Sequence, residues 1–563
     1  MKNKLGFTLI ELLAVVIILG IISLLAFPPI LNAIRSTKGK ISDASKEILY
    51  NAVGLYVSDN INNYPKYNGN KYCVTVNELV KGEYLPSKVY DSVTGNEIPQ
   101  DSKIEINIEN DIYSYNFNDE CKEYYKYGSL IKVLLGQYNE SNTTGLVKDT
   151  TNENIYYYKG TNEEVSNNFL WYGGHQWRVL EFNIKENTLT LISQQPLVSI
   201  QPASNVWINE ATYNSSYINT WLNERFWDSL NSGVQNNIKD STFNIGIYND
   251  ADEITTTQKV GLLDEDQYKR AGDGTTGKDS YLDIKDYFWL GNRYSSSDVR
   301  RVSYNGDLSY FSRSFAYGVR AVIKISDITI TGGDGTLASN YQVANKATNT
   351  SNVQVGEYIN VPYSGIDSAC GSDNMCTFRV VSKDSDSIKV VLNGLLPNES
   401  QYGSSTTIST SHTIYAPLST FAAGISDTYR YTKNKTFYIG YYPYVSGTGQ
   451  DYKIVQDETL EASIGLPTVG EMFSGNDIDL ITSSTKTFVD VNTIENSIAS
   501  SYYWTMNRYS SSDVRFVYSD GNLSNYSPSN AIGVRAVIYL KSGNSAITFT
   551  GGEGTPNSPY VLQ

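Results

Sequence analysis

The chain has 563 residues, 44 Lys and Arg against 59 Asp and Glu, and a net charge of −15. The length allows roughly three or four domains. So acidic a surface repels phosphate backbones, and no basic patch stands out, which argues against a nucleic-acid partner. The 46 tyrosines suit strand-rich, polar-surfaced extracellular domains, whether they meet sugars and proteins or simply fill half-buried strands.

In chain order, Lys2 and Lys4 precede an apolar stretch, residues 7–27, that contains one carboxylate, Glu11. From Leu12 to Phe27 only Gly20 and Ser23 interrupt it. As a helix these 21 residues span about 31 Å, enough to cross a bilayer core with the lysines on the cytoplasmic side. No small-x-small cleavage site follows; Pro28 and Pro29 do, and they are expected to kink the helix. Beyond them Ile34, Thr37, Ile41, Ala44, Ile48, Ala52 and Leu55 step by three or four residues, predicting an amphipathic continuation with that face as the docking spine. Glu11 is costly in an apolar span unless it reaches the headgroups or pairs with a buried positive group.

Lys4-Leu5-Gly6-Phe7-Thr8-Leu9-Ile10-Glu11 resembles the class III signal of type IV prepilins and of type II secretion pseudopilins. The resemblance covers about the first 60 residues. It implies cleavage after Gly6 by a prepilin peptidase and N-methylation of Phe7. It also implies pairing of Glu11 with the N-terminal amine of a neighbouring subunit. Pro28 matches the family's helix-bending proline, and Pro29 is an addition.

Next, Ile104, Ile106 and Ile108 alternate, then Tyr113, Tyr115 and Phe117, with Glu109-Asn110-Asp111 between them. This is a hairpin signal, and a small sheet on the helix is the head expected of a pilin. Cys73, Cys121, Cys370 and Cys376 make an even count, which in an exported chain suggests Cys73–Cys121 and Cys370–Cys376 disulfides; free buried thiols are the alternative.

Residues 292–300, Asn-Arg-Tyr-Ser-Ser-Ser-Asp-Val-Arg, recur unchanged at 507–515, an offset of 215. Trp289 then falls on Trp504, Gly306 on Gly521 and Arg320 on Arg535. Such a period is too long for a solenoid, so two tandem domains are expected. Hairpins are predicted at 177–192 and 378–391. A helix carrying Ile218, Trp221, Leu222, Phe226 and Leu230 is predicted in the first copy, with no evident counterpart in the second. In the second copy Leu466-Pro467-Thr468, Glu471, Trp504, Asp513-Val514-Arg515 and Gly533-Val534-Arg535 resemble the C-type-lectin-like superfamily, in particular its formylglycine-generating-enzyme-like branch. In the first copy the Leu-Pro-Thr element departs to Leu262-Leu263-Asp264.

Chemistry is sparse. His175 and His412 are the only histidines, and neither a zinc-protease nor a serine-hydrolase motif occurs. Calcium-lectin triplets are missing, and the acidic run 249–253 reads as a solvated loop, so no metal and no cofactor are expected. The stretch around His175 is either a binding turn or a structural aromatic hairpin. The repeated block supplies the candidate binding residues, Trp289, Arg293, Tyr294, Asp298 and Arg300, with Trp504, Arg508, Tyr509, Asp513 and Arg515; a core role is the competing reading.

The expected fold class is α+β: a long N-terminal pilin helix with a small β-sheet head, then two mixed α/β C-type-lectin-like domains rich in antiparallel strands. The expected boundaries are 1–6 (leader), 7–60 (transmembrane and pilin helix), 61–127 (head), 128–343 and 344–563. The expected function is a non-enzymatic type IV pilus subunit, a minor or tip pilin displaying adhesive domains. It would sit in the cytoplasmic membrane before assembly and at the cell surface after it. Its partners would be other pilin subunits, the prepilin peptidase, the membrane, and a glycan or protein receptor. The alternatives are a pseudopilin of a secretion or DNA-uptake machine and a tethered glycan hydrolase.

Overall fold

The structure is a computed structural model describing residues 41–247, 254–315, 317–344, 346–365, 370, 373–440, 458–474, 502–518 and 523–563. Gly6, Phe7, Glu11 and Pro28 lie outside the described residues, as do the acidic run 249–253 and Gly521. The chain divides into two compact units, 1–128 and 129–563.

In the first unit, helix Asp43–Asp59 starts at Ser42, whose side chain accepts the Ser45 N–H. It covers an antiparallel sheet of Lys71–Thr75, Lys103–Glu109 and Ile112–Phe117. The two-residue turn Asn110-Asp111 has positive φ at both positions, as a tight hairpin with right-handed twist requires. Cys73 is bonded to Cys121 across this sheet.

The helix buries Ser45, Leu49, Ala52, Val53 and Val57. That corrects the expected spine: of its described members Ile41, Ala44, Ile48, Ala52 and Leu55, only Ala52 is buried, and Ile34 and Thr37 lie outside the described residues. Ile48 and Leu55 are 54% and 63% exposed. Two apolar stripes run along this helix, and the sheet takes the one led by Leu49 and Val53.

The second unit holds one strand order twice. The first module runs Val260–Gly261, Val322–Ser326, Thr188–Ser193, His175–Asn183, Phe169–Tyr172, Tyr341–Val343, Thr329–Gly332. The second runs Ile464–Gly465, Val537–Lys541, Ser387–Leu392, Met375–Lys383, Tyr358–Pro362, Tyr560–Leu562, Phe549–Gly551. In each module the late strand lies parallel to an early one, closing the sheet near its own start. A β-bulge falls at the same place in both, between Val179 and Glu181 and between Val380 and Ser382. Ile218, Trp221, Leu222, Phe226 and Leu230 are all buried, the first four on successive helical turns within 217–229 and Leu230 at their extended C-terminal cap. The second module does have a helix at that place in chain order, Tyr415–Ala423.

The expected fold class is not what the chain shows. Strand makes up 35% and helix 17%, and among the described residues there is no long N-terminal pilin helix; residues 7–40 of the expected helix lie outside them. Among the described residues no helix is long and apolar enough to cross a membrane. Apolar residues at alternate positions, repeated in both modules, outweigh the helical signal that dominates the N-terminal stretch.

Candidate functional site

The repeated block lies in three successive antiparallel strands in each module: Phe288–Arg293, Asp298–Val302 and Leu308–Ser312, which in the first module are extended to five strands by Tyr317–Val319 and Val198–Ile200, then Tyr503–Arg508, Val514–Val517 and Leu523–Tyr526. The block's identity in the two copies is explained by its turn. Asp298 O accepts the Tyr294 and Ser295 N–H groups at 3.0 and 3.1 Å, and Asp513 O accepts those of Tyr509 and Ser510 at 2.9 and 3.1 Å. The carboxylates are used within the turn as well. Ser295 and Ser297 donate to Asp298 at 2.8 Å each, and Ser510 and Ser512 donate to Asp513 at 3.2 and 2.8 Å.

The tryptophans belong to the core. Trp289 and Trp504 are buried and donate to Ile200 O and Ser400 O, each at 3.0 Å. Arg515 is buried over the Tyr509 ring at 4.4 Å. Arg300 lies 2.8 Å from the Glu265 carboxylate and 4.7 Å from the Tyr294 ring. Arg508 is ion-paired with Glu458. Arg293 has no ion pair among the described residues. Of the ten candidates, Tyr294 is the clearly exposed one, and its ring stacks on Tyr310 at 3.7 Å.

Sequence reasoning missed the face these sheets present. Of the ten exposed aromatic side chains among the described residues, eight lie in these strands or in the segments that flank and join them: Tyr287, Tyr294, Tyr304, Tyr310 and Phe315, then Tyr502, Tyr518 and Tyr526. Each cluster has a centre at equivalent positions. Arg301 lies 4.2–4.5 Å from the rings of Tyr287, Phe311 and Tyr317. Phe516 lies 4.9–5.8 Å from those of Tyr502, Tyr518 and Tyr526. The offset of 215 already pairs Tyr287 with Tyr502 and Phe311 with Tyr526 in the sequence.

Other polar groups are structural. Arg178, Arg320, Arg379 and Arg535 are buried. Arg320 donates to Ser193 O and Leu282 O at 2.9 and 2.7 Å, and Arg535 to Leu392 O at 2.7 Å. Burial pushes the His175 imidazole down to about 3, so it is neutral and packed on Phe226 and Trp177 rather than facing a ligand. Asp264 with Gln267 and Thr468 with Glu471 cap equivalent helices, anchored by Asn292 and Asn507 at 2.7 Å; thus the departing Leu-Leu-Asp element does the work of Leu-Pro-Thr. Cys370 is bonded to Cys376. Among the described residues no group of three His, Cys, Asp or Glu side chains is placed to hold a metal ion.

Residues 1–27 match the prokaryotic N-terminal methylation motif, and residues 187–327 match a domain of unknown function (DUF6273). The motif marks a type IV pilin-like or pseudopilin-like secreted protein, one processed by a prepilin peptidase and interacting with other pilin subunits. The match over 187–327 carries no lectin name, so the lectin-like resemblance gains no support from it. No curated protein and no solved structure matches the chain.

Proposed function

We propose that this chain is a minor or tip subunit of a type IV pilus that displays residues 129–563 as an adhesive unit. The observation that carries the reading is the methylation motif at the head of a chain whose bulk is a duplicated, disulfide-bearing unit. Cleavage after Gly6 would free the Phe7 amine for methylation, and Glu11 would pair with that amine on a neighbouring subunit. The exposed Ile48 and Leu55 stripe gives the first unit an apolar face for packing in a filament. The duplicated tyrosine faces give the second unit large, stiff aromatic surfaces suited to a receptor. The role is structural, with the prepilin peptidase acting on the chain.

The test is mass spectrometry of the mature chain from cells, together with immunogold labelling of filaments. A methylated Phe7 N-terminus and sparse or terminal label support the reading. Continuous label along the shaft contradicts the minor-subunit role, and an intact Met1 terminus contradicts the whole of it.

A further inference from the structure

We infer that the cleft between the two modules of the second unit binds an uncharged, polyhydroxylated ligand, a saccharide unit. The inference rests on reading 129–563 as the displayed, contact-making part. The cleft has a volume of about 710 Å³ and takes its walls from both modules and the chain joining them. Ligand sites commonly measure ~300–1,000 Å³.

Its lining is rich in amides, with largely buried aromatic residues among them. Trp171 and Tyr172 line it beside Asn236 and Gln342. The side chains of Asn236 and Gln342 have no hydrogen-bond partner among the described residues. A carboxamide sets an acceptor next to a donor. That arrangement complements two neighbouring hydroxyls, one accepting and one donating.

The charged groups of the cleft are engaged already. Lys346 and Glu553 pair at 2.7 Å. Asp327 accepts from Ser129 Oγ at 2.5 Å and from the Ile131 N–H at 3.1 Å. Glu357 accepts from the Gln354 N–H at 2.7 Å and from Tyr560 O–H at 3.3 Å. Lys346 is the cleft's cation among the described residues and Glu553 already holds it, so an anionic ligand would have to break that pair and lie near Asp327 in a partly desolvated place. An extended peptide is disfavoured for another reason: strand Tyr341–Val343 is paired on both sides, so it offers no free edge.

The test uses the full chain in detergent micelles on an array of uncharged oligosaccharides, sialylated oligosaccharides and peptides, followed by titration of the hits. Saturable binding of uncharged oligosaccharides is expected, weakened about tenfold or more by Gln342→Ala and by Asn236→Ala, with thermal unfolding unchanged. Gln342→Glu, which keeps the volume and adds a charge, is expected to weaken binding as well and serves if the alanine variants fold poorly. Preferential binding of peptides or sialylated glycans overturns the inference, and so does binding indifferent to these variants. A chain that still adheres to cells but binds no uncharged oligosaccharide overturns the inference while the adhesive reading stands. Failure of adherence as well would remove both.

Discussion

The two modules of the second unit share a strand order but not a core chemistry. Where the first module buries Asn168 and half-buries Thr190 and Gln267, the second buries Glu357, Lys389 and Glu471 at the equivalent places. Lys389 is ion-paired with Glu471 in the interior, with the Phe437 ring 4.1 Å from its ammonium. Outside, the relation reverses: Arg301 centres the first aromatic cluster and Phe516 the second. One backbone therefore accepts charge at either of two depths, provided each charge is paired or stacked. The duplicated features are the turn, the bulge and the buried arginines, which set geometry. What differs is what a module is made to tolerate or touch.

The sharpest way to break the comparison is to remove half of the buried pair. Lys389→Ala should cost ~3–5 kcal/mol, because it leaves Glu471 buried without its cation. The double change Lys389→Thr with Glu471→Gln copies the first module and should lie within about 1 kcal/mol of the native chain. Hydrogen exchange along Ser387–Leu392 in the full chain reads both. If the double variant is as damaging as the single one, the modules are not interchangeable there.

A second change tests the seat between the modules. Gly174 and Gly356 have φ of +79° and +95°. A Cβ on Gly174 would meet Val355 O, and one on Gly356 would meet Gly174 O. Gly174→Ala should destabilise the unit by about 2 kcal/mol or more and speed proteolysis between the modules.

The third effect is on pH. Burial pushes the Glu357 carboxyl from 4.5 up to about 8, so between those values the folded chain holds a proton that the unfolded chain has lost. Stability should therefore fall as pH rises through that window, by at most about 1.4 kcal/mol per unit, and level off above it. Glu357→Gln should flatten this slope, which urea unfolding at pH 5 to 8 would reveal. Asn168, at the equivalent place in the first module, does not titrate; there the slope comes from Asp264, which burial pushes up to about 6, so it ends at lower pH.

The smallest effect belongs to the surface. Tyr294→Ala and Tyr526→Ala should change stability by less than about 0.5 kcal/mol. Both should lower adherence, so a stability loss without an adherence loss would make the tyrosine faces scaffolding.

How much of this was legible depends on the range of the signal. The turn at 110–111 and the buried stripe from Ile218 to Leu230 are local patterns, and both are plain in the sequence. The repeat gave the tandem organisation a basis, because an unchanged nine-residue block with a Ser-Ser-Ser-Asp turn forces the same hairpin twice. The same block left two readings of Trp289 and Trp504 open, binding aromatics or core, and the sequence alone does not show that Ile200 O and Ser400 O, roughly a hundred residues away, accept their N–H groups. Helix Asp43–Asp59 carries two apolar stripes, and the sheet alone decides which is buried. The cleft amides Asn236 and Gln342 have no motif at all: helix Ser232–Asn237 and strand Tyr341–Val343 lie about a hundred residues apart in the first module, and only the fold sets both on one cleft.

In the proposed function the first 128 residues serve assembly and the rest serves contact. Adherence and filaments are compared between cells making the native chain and cells making one cut back to 1–128. Filaments should persist, still carrying the shortened subunit, while adherence is lost. Unchanged adherence with lost secretion or DNA uptake would contradict this reading and make the chain a pseudopilin.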